Sequence, residues 1–493
     1  MQASKHETLQ PASSLARTLT LRGALTLNLL DMIGVGPFIT LPLLMGAMGG
    51  PQAMLGWLLG ALLAVCDGLV WAELGAAMPE AGGTYAYLRG IYAGRLGRWL
   101  SFLFVFQLCF SAPLSVASGC IGLSQYAGSL LPHPPAAATV HAAHLGAYTF
   151  AFTLGWQSLF AMAAVGFAVL LLYRNLAKVE PLSRGLLLVV LGAIAWTVVT
   201  AMLHGQWNRV IAFPAGAFHP NHAFFTGLGS AMLVATYDFW GYYNVTFLGG
   251  EVRDPGRSIP RALLLSIAIV TVLYLLLNAS VLALIGAPTL VRMAGTGNQP
   301  ALLTAVMQSA YAPSFGVHGA LWLGRLAALL VMITAFGSVF ALLLGYSRIP
   351  FAAARDGNFF AQFGRLHPTR GFPHISLLTL AGVACVCCCF SLRDVIAALV
   401  VLRILLQFGL QQVGVILLRI RHPDLPRPFR IWLYPLPPLV AMLGFGFVVF
   451  SRANFSRELV LGGLVVIAGS VCYLWWERKH PPAALRRSVS GTV

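Results

Sequence analysis

Residues 235–263 read ATYDFWGYYNVTFLGGEVRDPGRSIPRAL, and they place polar and aromatic side chains in the middle of an apolar segment. The segment contains Asp238 among aromatic rings, followed by Gly241 and Asn244. A carboxylate, aromatic faces and an amide can together bind a small organic molecule through charge, ring contacts and hydrogen bonds. These residues are therefore candidates for one half of a substrate site, provided that other elements supply the second half.

Other ionisable residues also interrupt apolar segments of the chain, namely Asp31, Asp67, Glu73, Arg325 and Arg403. A charge at membrane depth is costly, and such residues usually face a cavity, a partner or a transport pathway. For Glu73 and Glu251, which lie near the ends of apolar segments, pairing with loop arginines is the simpler interpretation. Asp67 has no motif around it, which favours a structural role.

The composition indicates that these residues lie in a membrane protein. Of 493 residues, 58% are hydrophobic and 9% are charged, whereas soluble domains contain about 25% charged residues. The formal charge of +17 could suggest nucleic acid, but Lys and Arg occur in short runs between hydrophobic segments. That spacing is typical of cytoplasmic loops and argues against a nucleic-acid partner. The eight cysteines lie in apolar segments without zinc-ligand spacing, so we predict no metal and no cofactor.

The apolar segments are sufficient for about twelve membrane spans of about 20 residues each. Of the 31 Lys and Arg residues, 24 fall on one side of the predicted membrane, five on the other and two within spans. The positive-inside rule therefore predicts a multi-pass protein of the inner or plasma membrane with both termini in the cytoplasm. The predicted spans cover residues 22–47, 53–78, 96–130, 150–173, 184–204, 223–249, 260–286, 318–347, 374–391, 393–418, 433–451 and 458–476.

Two of these spans contain helix-breaking residues halfway along their length. In the first span, Gly34, Gly36 and Pro37 predict two half-helices with unwound backbone between them. The sixth span has Gly241 within YDFWGYYN. Unwound backbone at membrane depth is tolerated only where it lines a cavity or is buried in protein. Two broken spans five helices apart indicate inverted repeats that hold a substrate between the breaks.

Four motifs resemble those of the amino acid–polyamine–organocation transporter superfamily. GVGPFI resembles its G-x-G-x-F motif at Gly34, Gly36 and Phe38, and WAELGAAMPEAGGTYAYLRG at 71–90 resembles the signature at the cytoplasmic end of the second span. GGEVRDPGRSIPRAL resembles the loop after the sixth span, and SRIPFAAARDGNFFAQFGRLHPTRGFPHISLL the loop after the eighth. The motifs occur in order across residues 31–378, so the resemblance covers most of the chain.

The resemblance implies an all-α polytopic membrane protein with the LeuT-type fold. In that fold a 5+5 inverted repeat with broken helices 1 and 6 is followed by two C-terminal helices, and the protein works by alternating access. The implied organisation is a cytoplasmic tail at 1–20, a ten-helix transport core at 21–418 with repeats at 21–204 and 221–418, two additional helices at 419–476 and a second cytoplasmic tail at 477–493.

The same resemblance implies roles for residues at the breaks. The backbone of Gly34, Val35 and Gly36 would bind a substrate carboxylate, and Tyr237 would close over the substrate as a gate. Further residues expected to line the site are Asp238, Trp240, Gly241, Tyr242 and Asn244. Some relatives place a lysine in the fifth span beside the first break, but this fifth span has none. Its absence argues against proton coupling by that route.

Three interpretations of Asp31 and Asp238 remain open. Either residue could pair with a cationic substrate, or it could take up and release a proton during the cycle. The third interpretation is structural, with a bond to Arg325, to Arg403 or to free backbone at the break. Sodium coupling between the first and eighth spans is a weaker alternative.

These features predict a secondary transporter that moves an amino acid or a related organic amine across the membrane. Its partners would be the small-molecule substrate, the lipid bilayer and, in one interpretation, protons. A polyamine or cationic amino acid transporter or exchanger is the first alternative, and a transport-deficient nutrient sensor on the same scaffold is the second. The sequence has no H-E-x-x-H and no G-x-S-x-G motif, so we do not expect an enzyme.

Overall fold

The computed structural model describes residues 15, 17–131, 139–145, 148–173, 179–295, 301–390, 403–451 and 455–479, and most of these residues are helical. The helices in chain order are α1 (Leu21–Met32), α2 (Leu41–Met48), α3 (Met54–Ala77), α4 (Thr84–Tyr92), α5 (Gly94–Gly128), α6 (Trp156–Leu172), α7 (Val179–His204), α8 (His222–Phe239), α9 (Asn244–Phe247), α10 (Pro255–Ile285), α11 (Ala287–Gly295), α12 (Leu302–Tyr346), α13 (Arg348–Arg355), α14 (His374–Cys387), α15 (Leu410–Arg421), α16 (Leu436–Phe450) and α17 (Phe455–Lys479).

The mostly helical architecture expected of an all-α chain is confirmed, and the described residues add one small sheet between α5 and α6. There, β1 (Thr139–Leu145) and β2 (Tyr148–Thr153) form an antiparallel two-stranded sheet. Both strands contain the β-branched or aromatic residues that favour extended backbone. The amide of Thr153 donates to the carbonyl oxygen of Cys389 at 2.8 Å, and this bond attaches the hairpin to the residues that follow α14.

Five described helices are individually long and apolar enough to cross a membrane, and a bent pair formed by α1 and α2 would be a sixth. Three further apolar helices, α6, α14 and α16, have 10–17 residues. The chain is therefore a polytopic membrane protein. The count of twelve spans and the repeat boundaries stay predictions, because residues 391–402 of the ninth and tenth predicted spans and most of both predicted tails lie outside the described residues.

The structure contains an interruption in both spans where the sequence predicted one. Between α1 and α2 the chain forms a 3₁₀ turn at Gly36–Phe38, and the two parts differ in direction by 57°. Pro37 favours this break because it has no amide proton with which to continue the helix. Between α8 and α9, Gly241 has a φ of 118°, which residues with a Cβ atom rarely adopt.

Neighbouring helices hold the two breaks against each other. α3 packs against α8 and α10, and α1 packs against α7, α10 and α12. The hydroxyl group of Tyr274 in α10 lies 2.5 Å from the carbonyl oxygen of Met32 and 3.2 Å from that of Asp238. Carbonyl groups at the end of a helix have no partner within it. One tyrosine therefore contacts such groups at the ends of both α1 and α8.

Glu73 forms a buried ionic cluster at the end of the molecule that is predicted to be cytoplasmic. Its carboxylate accepts hydrogen bonds from the Arg419 guanidinium and from the amide of Ile431, and it lies 3.5 Å from Nε of Arg427. The hydrogen bonds from Arg419 to this carboxylate raise the pKa of that guanidinium. The expected pairing of Glu73 with loop arginines is confirmed.

A second buried ion pair lies at the same end. Glu251 accepts a hydrogen bond of 2.8 Å from Nε of Arg348, and both side chains are almost fully buried. The pairing expected for Glu251 is therefore also confirmed. Glu80, a third acidic residue near this end, is exposed and forms no ion pair with any residue that the structure describes.

Candidate functional site

The two breaks enclose a small cavity of about 60 Å³. Most of the residues predicted for the site line it, namely Asp31, Gly34, Val35, Gly36, Tyr237, Asp238, Trp240 and Gly241. Nine further residues line the cavity without having been predicted to bind substrate, namely Met32, Ser115, Ser118, Gly119, Tyr243, Ser338, Leu342, Tyr346 and Arg403. The cavity is thus built from α1, the first break, α5, α8, the second break, α12 and Arg403, the first described residue of the tenth predicted span after the gap.

The break between α1 and α2 presents free backbone donors to this cavity. The amide of Gly34 donates to the carbonyl oxygen of Met32 at 2.9 Å, whereas the amides of Val35 and Gly36 have no hydrogen-bond partner among the described residues. Unpaired amides at the start of a helix carry a partial positive charge. The break can therefore bind an anionic group such as a carboxylate.

Asp238 lies directly over this break. Its side chain is 3% exposed, and its Oδ2 atom is in hydrogen-bond contact with the hydroxyl group of Thr40. The other carboxylate oxygen, Oδ1, has no partner. A Cβ atom added to Gly36 would lie 2.1 Å from Oδ1, so the close approach of Asp238 requires glycine at that position.

Asp31 contributes a second carboxylate from the last turn of α1. It is buried, and its Oδ2 atom has no hydrogen-bond partner. Its backbone carbonyl accepts a hydrogen bond from Ser338 of α12 at 3.2 Å. A Cβ atom on Gly241 would lie 2.9 Å from the carbonyl carbon of Asp31, which shows how closely the second break packs on the first.

Arg403 brings a buried positive charge into the same wall. Its guanidinium lies over the rings of Trp240 and Tyr346, at 5.5 and 5.0 Å from their centroids. It donates to the hydroxyl group of Tyr243 at 3.1 Å and to the carbonyl oxygen of Ser111 at 3.4 Å, while Nε has no partner. No described carboxylate forms an ion pair with it. An isolated arginine in an apolar span was the sequence signal for this residue.

Tyr237, the predicted gate, lines the cavity. Its hydroxyl group donates to Oγ of Ser118 in α5 at 2.9 Å, so it connects the end of α8 with a neighbouring helix across the cavity. Trp240 stacks on Phe408 with a centroid separation of 5.3 Å. Tyr237 is thus held by another cavity-lining residue, and Trp240 by a ring outside the cavity.

Two residues predicted to line the site lie elsewhere. The hydroxyl group of Tyr242 donates to the buried carboxylate of Asp67, which also accepts a hydrogen bond from Gln412. The side-chain amide of Asn244 donates to the carbonyl oxygen of Ala341 at 2.9 Å. Neither Tyr242 nor Asn244 lines the cavity. The neighbouring Tyr243 does so, because the backbone between α8 and α9 is not helical.

A second cavity of about 290 Å³ lies between the start of α1, parts of α7 and α12, and the segment that follows α9. Its walls include Glu180, Glu251 and Arg253. Glu180 also accepts hydrogen bonds from Thr20 at 3.1 Å and from Arg184 at 2.5 Å. Within the described ranges, no cluster of three or more His, Cys, Asp or Glu side chains could hold a metal ion.

Comparison with known proteins identifies the family. The family model described as amino acid permease matches residues 19–462. The branched-chain amino acid permease BcaP of Bacillus subtilis is 27% identical, over 93% of this chain and 93% of its own length. The serine/threonine exchanger SteT of the same organism is 26% identical over 95% and 98%. The Asc-type amino acid transporter 1 of Mus musculus is 24% identical over 94% and 83%. The chain therefore belongs to the amino acid permease family, within the amino acid–polyamine–organocation superfamily, whose members are transporters and not enzymes.

Proposed function

We propose that this protein transports an amino acid across the membrane and that the cavity between the two breaks is its substrate site. One observation carries the proposal: a single small cavity contains complementary groups for both ends of an amino acid. The unpaired amides of Val35 and Gly36 suit a carboxylate. The unpaired carboxylate oxygen of Asp31 suits an ammonium group.

The mechanism that fits this arrangement is alternating access in a LeuT-type core, with both termini in the cytoplasm. The cavity of about 60 Å³ is much smaller than ordinary ligand pockets of about 300 Å³ or more. A substrate therefore enters only after the surrounding helices separate. Tyr237 is the proposed outer gate. The second cavity, beside Glu180 and Glu251, is the proposed inner route.

The charges of the cavity bear on the class of substrate. Asp31 and Asp238 carry two negative charges when both are ionised, and Arg403 carries one positive charge. A buried site with a net charge of −1 favours bound molecules or ions with a total charge of +1. A cationic amino acid has this charge, and so does a neutral amino acid that binds together with a proton. One relative is a branched-chain amino acid permease and another is a serine/threonine exchanger. Both names favour the neutral amino acid.

Uptake into proteoliposomes tests this function. Uptake of each compound is measured with and without an inward proton gradient. We expect purified protein to take up labelled leucine or serine, and to take up arginine and putrescine more weakly. Uptake of putrescine alone would support the polyamine alternative. Absence of both uptake and binding for all four compounds would contradict amino acid transport and would favour a different substrate or a sensor.

A glycine substitution tests whether the first break is the substrate site. Gly36→Ala should reduce uptake by at least about tenfold, because its Cβ atom would collide with Asp238. Gly192→Ala in α7 is the matched control, since nothing lies within 4 Å of its Cβ position. The control should transport normally. Equal uptake by the two variants would contradict the assignment of the site.

A further inference from the structure

We propose that Asp238 carries one proton together with each substrate molecule, and that this proton lets the Asp238 carboxyl group and the substrate carboxylate occupy the first break together. This inference rests on the proposed transport of an amino acid. It separates the roles of the two acidic residues: Asp31 binds the substrate ammonium group as a carboxylate, and Asp238 meets the substrate carboxylate as a neutral acid.

The contacts of Thr40 are the first observation. Its hydroxyl group lies 2.9 Å from the carbonyl oxygen of Gly36 and is also in hydrogen-bond contact with Oδ2 of Asp238. A hydroxyl group has one proton to donate. It can therefore donate to only one of these two acceptors. Both contacts are full two-centre hydrogen bonds at the same time only when Asp238 is protonated and donates to Oγ of Thr40.

The position of Asp238 is the second observation. Its Oδ1 atom lies so close to Gly36 that a Cβ atom there would be 2.1 Å away. The free amides of Val35 and Gly36, on which a substrate carboxylate is proposed to lie, belong to the same turn. Two carboxylates that share one buried site cannot both be ionised without strong repulsion. A proton on Asp238 removes this repulsion.

The other charged and ionisable groups around Asp238 do not replace that proton. Arg403 forms no ion pair with Asp238, and its guanidinium is held between two rings. Asp31 adds a further negative charge to the same cavity. Tyr237 of α8 and Tyr274 of α10 also lie near Asp238, but their hydroxyl groups donate elsewhere. Tyr237 donates to Oγ of Ser118, and Tyr274 to the carbonyl oxygen of Met32. The remaining route to neutrality is proton uptake by Asp238.

The proposed cycle balances protons simply. When the site faces outwards, Asp238 takes one proton from water and an O–H bond forms. The substrate carboxylate then binds at the break beside the neutral acid. When the site faces inwards, the substrate leaves and Asp238 returns the proton to water on that side. Each cycle thus moves one substrate and one proton, with no other reactant.

The test compares Asp238→Asn with wild-type protein in proteoliposomes that contain a pH-sensitive dye. Asparagine is neutral and has nearly the same shape, so it imitates the protonated residue permanently. We expect the variant to exchange labelled leucine or serine across the membrane, but to lose substrate-dependent proton movement and proton-driven accumulation. Asp67→Asn is the matched control, because Asp67 is also buried but lies outside the cavity. It should still couple proton movement to uptake.

A second measurement does not depend on the folding of any variant. If one proton binds with each substrate molecule, the affinity of wild-type protein for leucine depends on pH. Above the pH at which half of the substrate-free protein carries this proton, the dissociation constant should rise about tenfold per pH unit. Proton movement by Asp238→Asn, or wild-type affinity that does not change with pH, would overturn the proposal. Wild-type uptake without proton movement would also overturn it while leaving amino acid transport intact.

Discussion

Two groups of acidic residues lie inside this protein, and they differ in what surrounds them. Glu73 and Glu251 are fully buried, and each carboxylate is paired with an arginine. Asp31 and Asp238 are equally buried, yet each has one oxygen without any hydrogen-bond partner. The paired acids lie near the predicted cytoplasmic end, and the unpaired acids line the central cavity.

The difference shows that burial alone does not identify a functional acid. A buried polar group without a partner costs free energy, so native proteins seldom contain one unless it has another use. Asp67 illustrates the point, because it is completely buried but accepts hydrogen bonds from Tyr242 and Gln412. Its contacts account for it without a ligand. The unpaired oxygens of Asp31 and Asp238 are the ones left available to a substrate.

The largest expected effect comes from breaking a paired acid. Glu73→Ala would leave Arg427 buried without its partner and would remove the acceptor for Arg419 and for the amide of Ile431. Loss of one member of a buried ion pair typically costs about 3–5 kcal/mol. We therefore expect a large fall in the apparent unfolding temperature of the detergent-solubilised protein. Glu80→Ala, at an exposed site, is the control and should change little.

The second prediction concerns an unpaired acid, Asp31, whose substitution should affect transport more than stability. Asp31→Asn should change the unfolding temperature far less than Glu73→Ala, because no described hydrogen bond to its Oδ2 atom is lost. It should raise the apparent KM for leucine or serine by about tenfold or more, since a bond between a charged group and its partner contributes about 1.5–3 kcal/mol. If Asp31→Asn unfolds as readily as Glu73→Ala, the distinction between the two groups fails.

Local sequence chemistry was sufficient to predict the two breaks and eight of the residues that line the cavity. Gly34, Gly36 and Pro37 disfavour a continuous helix wherever the chain places them, and Gly241 adopts a φ suited to glycine. These backbone preferences depend on the residues themselves and not on contacts with distant parts of the chain, so the sequence is enough to predict them. The hairpin formed by β1 and β2 was not predicted, although its strands contain β-branched and aromatic residues.

Contacts between distant parts of the chain could not be predicted in the same way. Arg419 lies 346 residues from Glu73, and nothing in either segment selects that arginine over its neighbours. Tyr242 and Tyr243 show a second limit. Helical periodicity tells which face a residue occupies only while the backbone is helical. Between α8 and α9 it is not, so Tyr243 rather than Tyr242 lines the cavity.

The smallest expected effect tests the gate at the cavity wall. Tyr237→Phe keeps the ring and removes only the hydroxyl group that donates to Ser118. One neutral hydrogen bond contributes about 1 kcal/mol, so we expect roughly a fivefold change in apparent KM with little change in stability. Ser118→Ala should have a similar effect. The double variant should be no worse than either single variant, because both substitutions remove the same bond. Fully additive effects would show that Tyr237 acts independently of Ser118, and normal transport by all three variants would remove Tyr237 from the gate.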